Sequence, residues 1–168
     1  MKDLSYSGRE VYRYDRDRFL LSLFVPALER EALLAVYALN LDLAQVQGKI
    51  SEEMIGQMRL AWWQEAIEDV YEGKPARGQP VLEALQRVTG HLPKEMLIAL
   101  VEKYREHFPD SPPDIDNRME TISIEVLRAL CPDAEPHWRR AQKIIAKHRG
   151  RYGQRCNGWM SFKLLIGR

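Results

Sequence analysis

The chain has 168 residues, of which 45% are hydrophobic and 29% charged, and its net charge is +1. These values are typical of a single globular domain over residues 1–168 and exclude a low-complexity or disordered chain. The two cysteines, Cys131 and Cys156, lack the spacing of metal ligands and are too few for a disulfide framework. We therefore predict neither a zinc site nor stabilising disulfides.

The amino terminus lacks the apolar core of a signal peptide, since residues 1–6 read MKDLSY. No stretch of the sequence approaches the roughly 18 apolar residues of a membrane span. We therefore expect a cytoplasmic protein, which could also be peripheral on the inner face of a membrane.

The first predicted helices cover residues 16–25 and 27–46. Pro26 fits the start of the longer helix, and Gly48 is predicted to stop it. Apolar residues in this helix recur at steps of three and four, which indicates one buried face. That predicted face consists of Leu28, Ala32, Ala35, Val36, Leu39, Leu43 and Val46.

A second long helix is predicted to begin at an N-cap, Ser51, and to end at Gly73. Acidic residues in its first turn favour a helix start because they complement the helix dipole. One apolar face is predicted to continue along it, made of Ile55, Met58, Trp62, Ala66 and Val70.

Four shorter helices follow, over residues 80–88 and 93–108, and then around two further apolar patterns. The first pattern comprises Met119, Ile122, Val126 and Leu130, and it ends before Pro132. The second comprises Trp138, Ala141 and Ile145 and carries a basic outer surface. Because no alternating apolar run is present, we predict an all-α bundle of about six to eight helices.

Six short motifs in the first half of the chain resemble those of the squalene/phytoene synthase family. Residues 19–26 read FLLSLFVP and residues 30–39 read REALLAVYAL. They are followed by LAWWQEAI at 60–67, YEG at 71–73, PVLEAL at 80–85 and LP at 92–93. Their order is similar to the family's over residues 14–93. The resemblance implies a prenyl-synthase-like helical bundle, shortened because members of the family are considerably longer.

The family's chemistry requires aspartates on two facing helices, which hold Mg²⁺ against the departing diphosphate. Counted from Tyr37, the first cluster falls on Ala44, Gln45 and Gly48, none of which supplies an anionic oxygen. No acidic residue follows Glu135, so a second cluster is missing from that region as well. We therefore expect no catalytic residues, no metal site and no cofactor.

This departure resembles a subgroup of the family that also lacks the aspartates. Residues 37–44 read YALNLDLA, which is close to the subgroup's pattern. The subgroup contains a mitochondrial complex I assembly factor and bacterial relatives. The resemblance implies a non-catalytic protein that acts in binding or assembly and has a protein partner. The alternative is a head-to-head prenyltransferase acting on isoprenoid diphosphates, which would need Mg²⁺.

Four residues are candidates for a lipid- or partner-binding surface, namely Tyr37, Arg59, Trp62 and Trp63. Aromatic residues at helical spacing also pack in cores, so ordinary packing is the competing interpretation.

Two acidic features leave a cation site open. Asp42 is the carboxylate closest to the lost first cluster, but a surface or capping role is the preferred interpretation of it. The acidic run Glu65, Glu68, Asp69 and Glu72 falls on neighbouring turns of one helix, and such a run is usually a solvated face.

The carboxyl-terminal segment, residues 136–168, carries nine lysines or arginines and no acid, whereas the residues before it carry 16 bases and 24 acids. This asymmetry indicates either an anionic partner or pairing with the acidic remainder of the chain. The predicted anion-binding residues are Arg139, Arg140, Lys143, Lys147 and Arg151. A protein surface or an anionic membrane surface is the preferred external partner of this segment, and a nucleic-acid partner is not expected.

Overall fold

The structure is a computed structural model that describes residues 4–50, 52–110, 112 and 114–149. Within these ranges the chain forms eight helices and no strand, which confirms the all-α prediction and the expected number of helices. The helices are α1 (Tyr6–Tyr14), α2 (Arg16–Ser22), α3 (Ala27–Lys49), α4 (Glu53–Tyr71), α5 (Pro80–Gln86), α6 (Lys94–His107), α7 (Ile115–Leu130) and α8 (Ala134–Arg149).

Helix α1 was not predicted from the sequence, and it depends on local capping. The Ser5 hydroxyl accepts a hydrogen bond from the backbone N–H of Gly8 at 3.1 Å, which satisfies one free donor of the first turn. The helix ends at Asp15, whose carboxylate in turn accepts from the backbone N–H of Arg18 at 3.1 Å. Asp15 therefore ends α1 and caps α2, which fixes the angle between the two helices.

A single guanidinium closes the junction between α2 and α3. Arg30 donates to the backbone carbonyl of Ser22 at 3.2 Å and to that of Val25 at 2.9 Å. These carbonyls belong to the last turn of α2 and the loop after it, and the Ser22 carbonyl also accepts from the backbone N–H of Val25 at 3.1 Å. Pro26 then occupies the N-cap of α3 without a side-chain cap.

Helix α3 is the centre of the bundle, and it contacts α1, α2, α4, α5, α6 and α7. Residues 32–41 are all buried, so the prediction of one buried face is wrong for this stretch. A helix that is apolar all round is enclosed on all sides, and α3 is enclosed in this way. The predicted stop at Gly48 is also wrong, because α3 continues to Lys49 and the N–H of Ile50 still donates to the carbonyl of Val46.

One polar pair is buried in this core. The Tyr104 hydroxyl on α6 donates to the side-chain oxygen of Asn40 on α3 at 2.9 Å. Burial raises the pKa of Tyr104 above its ordinary value, so the hydroxyl remains a donor. The bond satisfies both polar groups and fixes the register of α6 on α3.

Helix α4 buries a different face from the predicted one. Ile55 and Met58 are exposed, whereas Gly56, Leu60 and Trp63 are buried. Gly56 decides this orientation, because a Cβ built there would lie 2.0 Å from the Phe108 ring. The ring of Phe108 thus rests directly on the α4 backbone. Ala66 and Val70 are buried as predicted, while the proposed N-cap Ser51 lies outside the described residues.

Helices α7 and α8 complete the bundle on the side of α2. Met119, Ile122 and Val126 of α7 are buried as predicted, and so are Trp138 and Ala141 of α8. The side chain of Ile145 lies outside the described ones. Helix α8 packs against both α2 and α7, so these three helices and α3 surround a common space.

Candidate functional site

A cavity of about 170 Å³ lies among helices α2, α3, α7 and α8. Its walls combine charged groups with aromatic rings, which distinguishes it from the apolar core beside it. The lining residues are Asp17, Arg18, Leu21, Tyr37, Asp116, Asn117, Glu120, Ser123, Trp138 and Gln142.

Arg18 is the central charge of the cavity. Its guanidinium pairs with the carboxylate of Asp15 and, at 2.8 Å, with that of Asp116. It also lies 6.0 Å from the centre of the Tyr37 ring. Burial alone would lower the pKa of Arg18, but the neighbouring carboxylates raise it above its usual range. Arg18 is therefore always cationic and links α2 to α7 across the mouth of the cavity.

Tyr37 forms the floor of the cavity and is 1% exposed. The Ser123 hydroxyl donates to the backbone carbonyl of Met119 at 2.6 Å, so the Tyr37 hydroxyl, 2.8 Å away, donates to Ser123. Burial raises the pKa of Tyr37 to about 12, which keeps it protonated at neutral pH. The chain of two hydrogen bonds joins α3 to α7 beneath Arg18.

Trp138 closes the cavity from α8. Its ring is buried, and its indole N–H has no hydrogen-bond acceptor among the described residues. The N–H nevertheless lies close enough to the Tyr37 hydroxyl to favour that group's ionised form. The cavity therefore carries one indole donor beside a tyrosine hydroxyl that is already engaged.

The positions that carry the metal-binding aspartates in the squalene/phytoene synthase pattern do not fit Mg²⁺ here. Ala44 is buried and has no oxygen in its side chain, and Gly48 has no side chain. The Gln45 amide oxygen accepts a hydrogen bond from Lys49 at 2.7 Å. No group of three or more His, Cys, Asp or Glu side chains within the described ranges is placed to hold a metal ion.

Asp42 is half-buried on α3, where the side-chain N–H of Gln79 donates to it at 3.3 Å. Burial and the nearby carboxylate of Glu10 raise the pKa of Asp42 to about 6. A cation bound by Asp42 would attract its carboxylate and offset the repulsion from the carboxylate of Glu10. Among the described residues, no third His, Cys, Asp or Glu side chain joins Asp42 and Glu10 in a group that could hold a metal ion.

The acidic run on α4 binds cations of the chain itself. Asp69 pairs with Lys74 at 2.8 Å and with Arg77, and Glu65 pairs with Arg77 at 3.3 Å. These pairs lower the pKa of Asp69 through the Lys74 and Arg77 hydrogen bonds. The run therefore fastens the loop after α4, as the solvated-face interpretation predicts.

The four residues of the predicted lipid or partner surface do not lie together. Tyr37 lines the cavity, and Trp63 is 3% exposed in the core. Arg59 is exposed, and its guanidinium lies 5.3 Å from the centre of the half-buried Trp62 ring. Trp63 packs edge-on against Trp62, with ring centres 5.2 Å apart. Of these four residues, only Arg59 and Trp62 are thus accessible at the surface of α4.

The predicted anion-binding residues differ in whether they form ion pairs within the chain. Arg139 pairs with Glu135 at 2.8 Å, and Glu135 also holds Arg128. Arg140 and Lys143 are exposed on α8. The side chain of Lys147 and the whole of Arg151 lie outside the described residues. Intramolecular pairing therefore accounts for Arg139, while Arg140 and Lys143 remain predicted anion contacts.

The sequence did not single out most of the cavity. Arg18, Asp116 and Ser123 were not candidate residues, and they come together only because α7 folds back onto α2 and α3. Asp17 and Arg18 stand at the end of the charged stretch RYDRDR, residues 13–18, directly before the apolar motif at 19–26. A charged residue at the start of a buried helix indicates a partner elsewhere in the fold.

The all-α bundle and the positions that lack metal-binding aspartates indicate a class of protein, and comparison with known sequences identifies that class. The squalene/phytoene synthase family matches residues 11–120, which is more than half of the chain. The protein therefore belongs to the squalene/phytoene synthase family. No solved structure gives a significant match.

The curated relatives of the chain share one name. The human protein "NADH dehydrogenase (ubiquinone) complex I, assembly factor 6" is 34% identical over 97 residues, which cover 57% of this chain and 29% of that protein. The mouse protein of the same name is 31% identical over 146 residues, or 78% of this chain and 44% of its own length. The Drosophila melanogaster homolog is 33% identical over 85 residues, covering 48% and 25%. The chain thus spans less than half the length of these relatives.

Proposed function

We propose that the chain is a non-catalytic member of its family that acts by binding, in the assembly of a protein complex. The observation that carries this proposal is the altered catalytic helix. Helix α3 presents Ala44, Gln45 and Gly48 where the family's pattern places Mg²⁺-binding aspartates. Without those carboxylates, α3 cannot hold the Mg²⁺ that neutralises a departing diphosphate in the family's chemistry. The prenyltransferase alternative is not favoured for the same reason.

The proposed partner is a subunit or assembly intermediate of respiratory complex I. The names of the human and mouse relatives support this choice, because both proteins are called complex I assembly factors. The proposal needs no cofactor, since binding to a protein partner involves no Mg²⁺-dependent step.

The surface that we assign to this partner lies at the end of α2. Leu20 in α2 and Leu23 and Phe24 in the turn directly after it are exposed and adjacent in the chain. Exposed apolar side chains that cluster in this way are typical of contact surfaces. The same corner is close to the junction held by Arg30, so its backbone is well fixed.

Co-purification from the source organism tests the proposal. A tagged wild-type chain should enrich complex I subunits, whereas the double variant Leu23→Glu, Phe24→Glu should lose them. Arg87→Glu, an exposed change on the loop after α5, is the matched control and should behave as wild type. If wild type and both variants enrich no complex I subunit, the assembly proposal is wrong.

A second candidate, docking to an anionic membrane, is favoured by the basic surface of α8. Arg140 and Lys143 are exposed on a helix that packs against α2, and the exposed Leu23 and Phe24 directly follow α2 in the chain. Apolar side chains with neighbouring cations are the combination used by interfacial helices. On this hypothesis the protein is cytoplasmic and peripheral on the inner face of a membrane. No helix within the described residues is long and apolar enough to cross a membrane.

Flotation with vesicles of anionic and of neutral lipid tests membrane docking. We expect binding to anionic vesicles that falls steeply with added salt, because the attraction is screened. The variant Arg140→Glu, Lys143→Glu should abolish it. Equal binding by this variant at low salt, or no binding by the wild type, would exclude the membrane role.

A further inference from the structure

Two methionines on α4 are far more exposed than the other methionines that the structure describes. Met54 and Met58 are 69% and 66% exposed, whereas Met96 on α6 is 8% exposed and Met119 on α7 is 0% exposed. Methionine side chains are apolar and commonly fill gaps in a core, as Met96 and Met119 do. Small reagents in solution therefore reach the sulfur atoms of the α4 pair but not those of the core pair.

The two exposed thioethers lie on the same side of α4. Met54 and Met58 are four residues apart, which is about one helical turn, and both lie within the helix, which begins at Glu53. Ile55 lies next to them and is 49% exposed, so the three side chains form one apolar stripe. Oxidation of both sulfur atoms would therefore change the polarity of a continuous patch.

The opposite side of α4 holds the helix against the bundle. Gly56 lies about half a turn from each methionine, and its backbone packs directly against the ring of Phe108. The side-chain N–H of Gln57 donates to the backbone carbonyl of Arg105 on α6 at 3.0 Å. Neither contact uses a methionine side chain, so a chemical change at either sulfur leaves both contacts in place.

Exposed thioethers react with hydrogen peroxide. The sulfur lone pair attacks one peroxide oxygen, the O–O bond breaks, and the other oxygen leaves as water after a proton shift. The sulfur loses two electrons and becomes a sulfoxide, and the peroxide is reduced by the same two electrons. A sulfoxide is polar, so it is hydrated at a surface, whereas in a core it would be an unsatisfied polar group.

We propose that Met54 and Met58 are a modification site for hydrogen peroxide, and that their oxidation makes the stripe on α4 polar without unfolding the bundle. Burial protects Met96 and Met119 from the same reaction in the folded chain. Methionine sulfoxide is returned to methionine by sulfoxide reductases, so the change of polarity is reversible. The inference needs no partner and does not depend on the proposed assembly function.

Peptide mapping after a short exposure to hydrogen peroxide tests the proposal on the wild-type chain. Trypsin separates the α4 pair from each core methionine, giving peptides of residues 50–59, 95–103 and 119–128. In the folded chain the first peptide should gain one and then two oxygen atoms, on the order of tenfold faster than the other two are oxidised. In urea, which unfolds the bundle, the methionines of all three peptides should react at similar rates.

The matched control is the double variant Met54→Leu, Met58→Leu, which keeps the stripe apolar but removes its sulfur atoms. After peroxide, the wild type should elute earlier from a hydrophobic-interaction column, whereas the elution of the variant should not change. The midpoint of thermal unfolding of the oxidised wild type should shift by less than about 3 °C, because the sulfoxides are at the surface.

The mapping uses the wild type alone, so it holds even if the variant fails to fold. Equal oxidation of the three peptides in the folded chain would overturn the proposal. So would unfolding of the wild type as the peptide of residues 50–59 is oxidised, or an equal change of elution in the folded leucine variant.

Discussion

Single side chains determine the character of the cavity under α2. Arg18 crosses its mouth between Asp15 and Asp116, and the Tyr37 hydroxyl is committed to Ser123. A buried charge or hydroxyl is tolerated only when it is paired, so these groups serve first to bind α2, α3 and α7 together. The polar residues of the cavity therefore link these three helices and stabilise the fold.

The Tyr37 hydroxyl should contribute measurably to stability. Tyr37→Phe removes one buried hydrogen bond and should lower the free energy of unfolding by about 1–2 kcal/mol. Urea unfolding of Tyr37→Phe, Ser123→Ala and the double variant forms a double-mutant cycle. We expect the double variant to lose less than the sum of the single losses, since both remove the same bond. Strictly additive losses would show that the two hydroxyls do not interact.

Asp42 should make the protein less stable as the pH rises. Its folded pKa of about 6 lies above the ordinary value near 4, so the folded state holds this proton more tightly than the unfolded chain. The resulting stability is complete below about pH 4 and is lost as the pH rises to about 6. Asp42→Asn should therefore stabilise the protein at pH 7 by about 1–2 kcal/mol, allowing for screening at this half-buried site.

The same variant separates a strained carboxyl from a cation ligand. Urea unfolding at pH 4 and pH 7 should show a difference between wild type and Asp42→Asn only at the higher pH. Glu10→Gln should have a smaller effect in the same direction, because it removes the carboxylate next to Asp42. If Asp42→Asn is less stable than the wild type at pH 7, the charged form of Asp42 stabilises the folded state, contrary to this prediction.

At the scale of helices, packing decides which of several apolar faces is buried. Helix α4 offers Ile55 and Met58 on one side and Leu60 on another, and periodicity alone cannot choose between them. Gly56 decides between them, because the ring of Phe108 rests on the helix backbone at this position. Helix α1 was missed for a related reason, since its short and strongly charged sequence is stabilised by Ser5, Asp15 and its contact with α3.

Gly56→Ala tests this account of α4. The added methyl would overlap the Phe108 ring, and the strain should exceed the roughly 1 kcal/mol that alanine gains over glycine in a helix. We expect a net loss of about 1–3 kcal/mol in unfolding free energy. Phe108→Leu should be less harmful in the Gly56→Ala background than in the wild type.

The control is Gly90→Ala, because no atom lies within 4 Å of a Cβ built at Gly90. It should change stability by a few tenths of a kcal/mol at most. A Gly56→Ala variant as stable as this control would show that α4 does not rest on Phe108.

At the scale of the whole molecule, the sequence predicts the class of fold better than it predicts the site. Local patterns identify seven of the eight described helices and the order of the family's motifs, because caps, prolines and apolar spacing act over a few residues. The cavity depends on contacts such as Arg18 with Asp116, which are 98 positions apart. No local pattern carries that information, whereas the missing aspartates could be read directly by counting from Tyr37.

The loss of the metal-binding carboxylates is the central claim, and release of diphosphate tests it most directly. The purified chain is incubated with farnesyl or geranylgeranyl diphosphate and Mg²⁺, beside an active squalene/phytoene synthase as positive control. We predict release no faster than in the protein-free buffer, with or without EDTA, because Ala44, Gln45 and Gly48 cannot hold the ion. Release of diphosphate that is faster than in buffer and that EDTA abolishes would contradict this claim and show that the chain is a Mg²⁺-dependent enzyme.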